Sequence, residues 1–521
     1  MAKKRSLISD PHVLFLLVCT GLVIIGVVYL SLYGSRTYLL EKEQFKAQQM
    51  IQALNGREPT TAELDRVIAQ LEKAIAKSPL SSAAAQLHFT IARLYYGIAK
   101  DYPKAIDELK KVLLNFSNSP QFATEARFQM GKMYEMQDNW DAALKVYKDI
   151  YEYHPLSQKG LYTPLYIAEA YKARGQDAEA KEAYQAALNQ YNKLLAQLGD
   201  ISDSAIVMNY IALVYASEGL WEKAAEQWEA IVKKYEKSPI IPATLMTLGE
   251  VYANRLKERT KAIEAYTRVI ADYPESDLAL QAHIRLIQLY FATSDYANAR
   301  LWCEKLLANE KAKDNRVLRA ETSLLLARSY EKEGNWAEAD RIYNTVTKEY
   351  ADTAAAMRVP LIRAKHFQDD AQLDEANRLY QEAMVEYQRV VAQHPDSRVA
   401  VNAQDLMSLI YVNKQDWPGL ITHVDSLLKE TKEGTQRHAQ LLFLKGNILR
   451  TKLNEPEAAK AVYNQFLVLY GDQPLADTVA KQLAELENPA AVSTASSDTT
   501  VDKIVEKLAP GEAVSEEKAS K

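Results

Sequence analysis

Eight histidines and two cysteines are the side chains of this chain best suited to metal, acid–base or nucleophilic chemistry. Their spacing organises none of it. His88, His154, His283 and His394 are scattered, and no pair has the separation of metal ligands on one helix. No HExxH, CxxC, GxSxG or phosphate-cradling glycine-rich loop occurs. Cys19 lies in an apolar N-terminal run and Cys303 at an expected buried helix position. A disulfide between them would put one sulfur in lipid. Lys257-Glu258-Arg259 reads as a solvated turn, and Asn115-Phe116-Ser117 fits a glycosylation sequon of a kind common by chance. The expectation is a non-enzyme with no catalytic residues, no metal, no cofactor and no small-molecule substrate.

The 521 residues are enough for several domains or one long repeat array. Apolar residues make up 48%, while Gly and Pro number only 17 each, which disfavours a turn-rich β fold. A net charge of −5 excludes the basic footprint needed to neutralise phosphates, so no nucleic acid is expected as a partner.

Residues 13–33 form an uncharged apolar run, about the length that crosses a bilayer as a helix. Lys3, Lys4 and Arg5 precede it, whereas Arg36 is soon balanced by Glu41 and Glu43. The positive-inside bias puts residues 1–12 in the cytoplasm and the rest of the chain across the membrane. A cleaved signal peptide fits less well, because the run is too long and Leu32 and Tyr33 fill the cleavage region.

An internal repeat organises the remainder. Gly131, Tyr134, Ala143 and Tyr147 share the offsets 0, 3, 12 and 16 with Ala168, Tyr171, Ala180 and Tyr184. Ala212, Tyr215, Ala224 and Trp228 repeat them, as do Ala327, Tyr330, Ala339 and Tyr343. Looser copies start at Ala92, Gly249, Ile287, Ala364, Ser408 and Gly446, giving ten units. A small anchor suits close contact between two helices of a hairpin, helix A and helix B. The aromatic at +16 is expected to fill space between successive hairpins. Pro103, Pro418 and Pro456 fall near helix B starts, where a missing N–H costs nothing. Asp138-Asn139, Gly175-Gln176, Glu218-Gly219 and Gly334-Asn335 mark the turns between A and B.

A shift of 196 residues aligns Asn139-Trp140 with Asn335-Trp336, Pro164-Leu165 with Pro360-Leu361, and Tyr191 with Tyr387. Five repeats were therefore duplicated. In both halves the third helix B runs on by about two turns, through residues 191–195 and 387–391. That extension is either a partner surface or a brace between half-arrays.

The pattern resembles the tetratricopeptide repeat (TPR). The implied fold is all-α: a TPR-type α-solenoid of about ten helix-turn-helix repeats, five duplicated, preceded by one transmembrane helix. The expected order is residues 34–82 as juxtamembrane and capping helices (N-cap at Thr60 or Thr61), half-arrays at 83–277 and 278–474, and a capping helix at 475–487. Residues 488–521 are small and polar and read as disordered. Within them Val501, Ile504, Val505 and Leu508 keep an amphipathic spacing, that of a transient helix or of a docking motif for a groove.

The resemblance further implies a concave groove that grips an extended peptide or a helix of another protein. Projecting the register onto it gives Phe128, Lys132, Leu165, Glu169, Asn209, Met246, Glu250, Gln288 and Arg328 as candidate groove residues. The carboxylate clamp of chaperone-binding members is not expected, since its asparagine position holds Gln129, Tyr166, Tyr210 and Thr247. Tyr273-Pro274-Glu275-Ser276 and His394-Pro395-Asp396-Ser397 are similar in style to bacterial envelope TPR proteins, of the outer-membrane assembly and Tol-Pal coordination types. The resulting expectation is a scaffold in the bacterial inner membrane, anchored by residues 13–33, with its array in the periplasm. Two alternatives stay open: a cytosol-facing targeting receptor, and a subunit that tethers an enzyme to the membrane.

Overall fold

The computed structural model describes residues 35–53, 59–199, 201, 203–395, 397–487, 501, 504 and 505. The apolar run 13–33 lies outside them, and no described helix is long and apolar enough to cross a membrane. Among the described residues all regular structure is helical. The chain divides into two compact units between Ala265 and Tyr266.

In the first unit α1 (Ser35–Ala53) and α2 (Thr61–Ile75) form a leading hairpin. Thr60 caps α2 in a full capping box with Glu63. Five hairpins begin in this unit: α3 (Ser82–Leu94) with α4 (Tyr102–Phe116), α5 (Pro120–Met136) with α6 (Trp140–Tyr153), and α7 (Gln158–Ala173) with α8 (Asp177–Leu198). Next come α9 (Asp203–Ser217) with α10 (Trp221–Lys234), and α11 (Ile241–Val251) followed by α12 (Arg259–Asp272), which carries the unit boundary.

The second unit holds α13 (Asp277–Ala292) with α14 (Tyr296–Leu307), α15 (Arg316–Lys332) with α16 (Trp336–Glu349), and α17 (Ala354–Asp369) with α18 (Leu373–Gln393). After these stand α19 (Arg398–Asn413) with α20 (Trp417–Glu430), α21 (Gln436–Thr451) with α22 (Pro456–Tyr470), and α23 (Ala476–Glu487). Odd-numbered helices from α3 to α21 are thus helices A, and even-numbered ones are helices B.

Each A–B turn contains one residue with positive φ. Three are glycines, at Gly175, Gly219 and Gly334; the others are Lys100, Asp138, Lys257, Ser294, Ala371, Gln415 and Asn454. The left-handed residue reverses the chain, and the next residue can then cap helix B. Asp101, Asn139, Asp295, Asn335 and Asp416 do so with side-chain oxygens. Pro103, Pro418 and Pro456 occupy the first turns of α4, α20 and α22.

The anchor and the later aromatic meet within one hairpin. A Cβ on Gly131 would lie 2.2 Å from the Tyr147 ring, and one on Gly446 2.2 Å from Tyr463. Tyr147 also stands 5.3 Å from Tyr166 of the following hairpin. The +16 aromatic Tyr147 thus fills space between successive hairpins, as expected, and also packs on the anchor of its own hairpin.

α8 and α18, at 22 and 21 residues, exceed the 14 of α6 and α16. The added turns are covered inside their own unit. Tyr191 and Leu194 of α8 are buried in one cluster with Val207, Ile211 and Val214 of α9. These apolar residues are buried by the neighbouring hairpin.

At the C-terminus α23 packs chiefly against α22. Val501, Ile504 and Val505 are helical and buried within the same apolar cluster. At these three positions the expectation of disorder fails, because aliphatic side chains at helical spacing find an apolar surface. Leu508 and the rest of 488–521 lie outside the described residues.

Candidate functional site

In the first unit, helices α3 and α5 and the start of α7 enclose a cleft of about 670 Å³. Its walls combine Phe89 and Phe122 with amide and charged side chains, including Gln86, Arg93, Glu125 and Gln129. Helical spacing produces this wall. Gln86 and Thr90, like Glu125 and Gln129, are four residues apart and so share one helix face. Gln129 Nε2 donates to Glu125 Oε1 at 2.9 Å, which holds both side chains in place.

Behind the cleft lies an aromatic layer. Phe128 sits 5.5 Å from Tyr147, 5.9 Å from Tyr162 and 5.3 Å from Tyr166. Lys159, which also lines the cleft, places its ammonium 4.0 Å from the centre of the Phe128 ring. Glu135 ties the layer together, since Tyr147 and Tyr166 both donate to its Oε1, at 2.6 and 2.7 Å. Lys132 completes the cluster by donating to the Tyr166 hydroxyl at 2.6 Å and pairing with Glu135 at 3.1 Å.

Burial pushes the Tyr147 and Tyr166 hydroxyls up, and their hydrogen bonds to Glu135 push the same way. Lys132 is raised although burial opposes it, because the contacts with Tyr166 and Glu135 favour its charged form. The tyrosines therefore stay protonated and the lysine charged. The tyrosines and the lysine donate hydrogen bonds and stack. Amide side chains beside Phe89 and Phe122 suit a peptide, whose backbone needs both donors and acceptors. Among the described residues no three His, Cys, Asp or Glu side chains gather as a metal site.

The candidate groove residues fare differently. Phe128 and Lys132 belong to the layer just described. Leu165 is 4% exposed and Met246 9%, so both are core residues and line no open groove. Asn209 accepts from Trp228 Nε1 at 2.8 Å, and Glu169 accepts from the Ser217 hydroxyl at 2.9 Å. These two secure neighbouring helices. Gln288 accepts from Arg285 at 3.3 Å, Arg328 is half-buried on α15, and Glu250 is half-buried on α11. Sequence projection missed Gln86, Thr90, Glu125 and Gln129, which lie two and six residues before the anchors. Their i, i+4 polar pairing, repeated at the same offsets from two successive anchors, was the available signal.

Comparison with known proteins agrees with this architecture. Residues 16–201 match a tetratricopeptide repeat-like domain, and residues 168–239, 243–276 and 321–353 match tetratricopeptide repeat models. No curated protein matches the chain. Among solved structures, yeast Tom70 is similar over 92% of this chain and 99% of its own, at 11% identity and a TM-score of 0.37. A tetratricopeptide repeat protein from Parabacteroides merdae is similar over 57% of this chain and 99% of its own, at 15% identity and a TM-score of 0.32. PilW, a type IV pilus biogenesis factor, is similar over 45% and 97%, at 16% identity and a TM-score of 0.29. With its ten hairpins, its small anchors packed on aromatic rings and these family matches, the chain is a tetratricopeptide-repeat protein.

Proposed function

We propose that this chain is a membrane-anchored scaffold that binds other proteins through its helix A face and organises a cell-envelope complex on the periplasmic side. The observation that carries the binding role is the cleft between α3, α5 and α7, with polar walls, an aromatic layer behind it and no base among its tyrosines. The anchoring role is supported by the uncharged run 13–33, and the sidedness by Lys3, Lys4 and Arg5 before it.

Photo-crosslinking in cells tests the binding role, with the probe at Gln129, Glu250 or Arg328 and a control at Lys233 on helix B. A partner captured at Gln129 and not at Lys233 is the expected result. Equal capture at both would overturn the cleft reading. A reporter fused after Lys521 tests sidedness separately. Activity only on the cytoplasmic side would replace the envelope scaffold with the cytosol-facing receptor.

A further inference from the structure

The last hairpin differs from the first eight. On helix A the residues two before and one after the anchor keep solvent contact in hairpins one to eight, as at Thr90 and Arg93, Gln129 and Lys132, or Thr247 and Glu250. Thr90, Arg93 and Gln129 among them line the cleft in the first unit. On α21 the equivalent residues are Leu444 and Asn447, and both are 0% exposed. In hairpin nine Leu406 is buried, but Leu409 remains half-buried.

α23 shares one apolar cluster with α21 and α22. It packs chiefly on α22 and reaches α21 through the pair Arg450–Glu485 at 3.4 Å. The other described residues in this cluster beyond α23 are Val501, Ile504 and Val505, at 0%, 8% and 0% exposure. Their spacing places all three on one face of a helical turn. Asn447 donates from Nδ2 to the Phe443 carbonyl at 2.8 Å. Its Oδ1 is buried without a partner among the described residues.

We infer that the helix A face of the last hairpin is a docking site for a short aliphatic helix, and that its resident occupant is this chain's own trio Val501, Ile504 and Val505, bound in cis. The inference rests on the reading of the helix A face as the binding face. A segment this short is not a stable helix alone, so it is ordered by the site and can leave it. A partner helix with aliphatic residues at i, i+3 and i+4 then competes for the same surface. Covalent attachment favours the resident through its effective concentration, on the order of millimolar for a short connection.

Hydrogen exchange on the full-length chain in detergent micelles tests this, comparing the unaltered protein with V501D/V505D and with the milder I504A. Exchange across residues 440–450 is expected to accelerate at least tenfold in V501D/V505D and less in I504A, while α19 is unchanged. A labelled synthetic peptide of residues 497–510 should bind V501D/V505D at least tenfold more tightly than the unaltered chain and restore the protection. Equal peptide binding to both, or unchanged exchange, overturns the proposal. Loss of protection through the whole second unit overturns it too, by making the segment part of the fold. Protection that rises with protein concentration would assign the occupant to a second copy and overturn binding in cis. None of these readouts uses an external partner, so failure here is distinct from failure of the crosslinking experiment.

Discussion

The hydroxyl of Tyr191 donates to the backbone carbonyl of Leu161 at 2.5 Å, and 196 residues later Tyr387 does the same to Met357 at 2.5 Å. Each accepting helix contains an internal proline, Pro164 in α7 and Pro360 in α17. Proline lacks the N–H of the helical ladder and pushes away the carbonyl four residues back. A tyrosine from the lengthened helix B supplies a donor beside that disturbed ladder. The long helices and the prolines are therefore one device, present in both halves. Tyr191→Phe and Tyr387→Phe should each destabilise by about 0.5–1.5 kcal/mol, since each removes one hydrogen bond to a helix carbonyl. Urea unfolding followed by circular dichroism checks this; unchanged midpoints would contradict it.

The anchor glycines Gly131 and Gly446 have no room for a methyl group. Gly131→Ala and Gly446→Ala would drive a Cβ to 2.2 Å from Tyr147 and Tyr463, both fully buried. Overpacking of this kind costs roughly 1–3 kcal/mol. Gly97→Ala, with nothing within 4 Å of its Cβ, is the control and should leave the melting temperature almost unchanged.

The turn residues point the other way. Ala371 and Gln415 hold φ of 58° and 55° where other repeats use glycine. A non-glycine residue in this region carries a cost of about 1–2 kcal/mol, partly offset by the greater entropy glycine loses on folding. Ala371→Gly and Gln415→Gly should each stabilise by a few tenths to about 1 kcal/mol. Thermal melts of the single and double variants test the sign.

His283 makes stability depend on pH. It is buried 5.4 Å from Trp302, and its Nδ1 has no hydrogen-bond partner among the described residues. Burial, with Lys305 adding repulsion, pulls it down to about 4. The unfolded chain therefore binds a proton at higher pH than the folded one. The contribution is complete above about pH 6.5 and is lost as pH falls towards 4, by roughly 2 kcal/mol between pH 7 and pH 5. His283→Phe should flatten that part of the profile in denaturant titrations run at each pH.

Cys303 is 0% exposed, and burial pushes its thiol up to about 12. Neither access nor thiolate is available in the folded chain. Iodoacetamide should leave Cys303 unmodified under native conditions and alkylate it in urea, as read by mass spectrometry of the tryptic peptide. Rapid native labelling would show that the second unit opens locally.

The sequence by itself determined the repeat, its count and the 196-residue shift that pairs Tyr191 with Tyr387. These depend on local spacing: a small residue and an aromatic sixteen positions on recur because every hairpin solves the same packing problem. It also marked the prolines at helix starts and the aliphatic trio at 501, 504 and 505. Tertiary structure decided which polar residues are free. Asn209, Glu169 and Lys132 look alike in sequence, yet two secure neighbouring helices and one joins an aromatic layer. The cleft residues Gln86 and Gln129 come from different hairpins, and local periodicity carries no information about which faces converge. Likewise the aliphatic trio could be read as a docking motif, but only packing could show that a surface for it exists on its own chain.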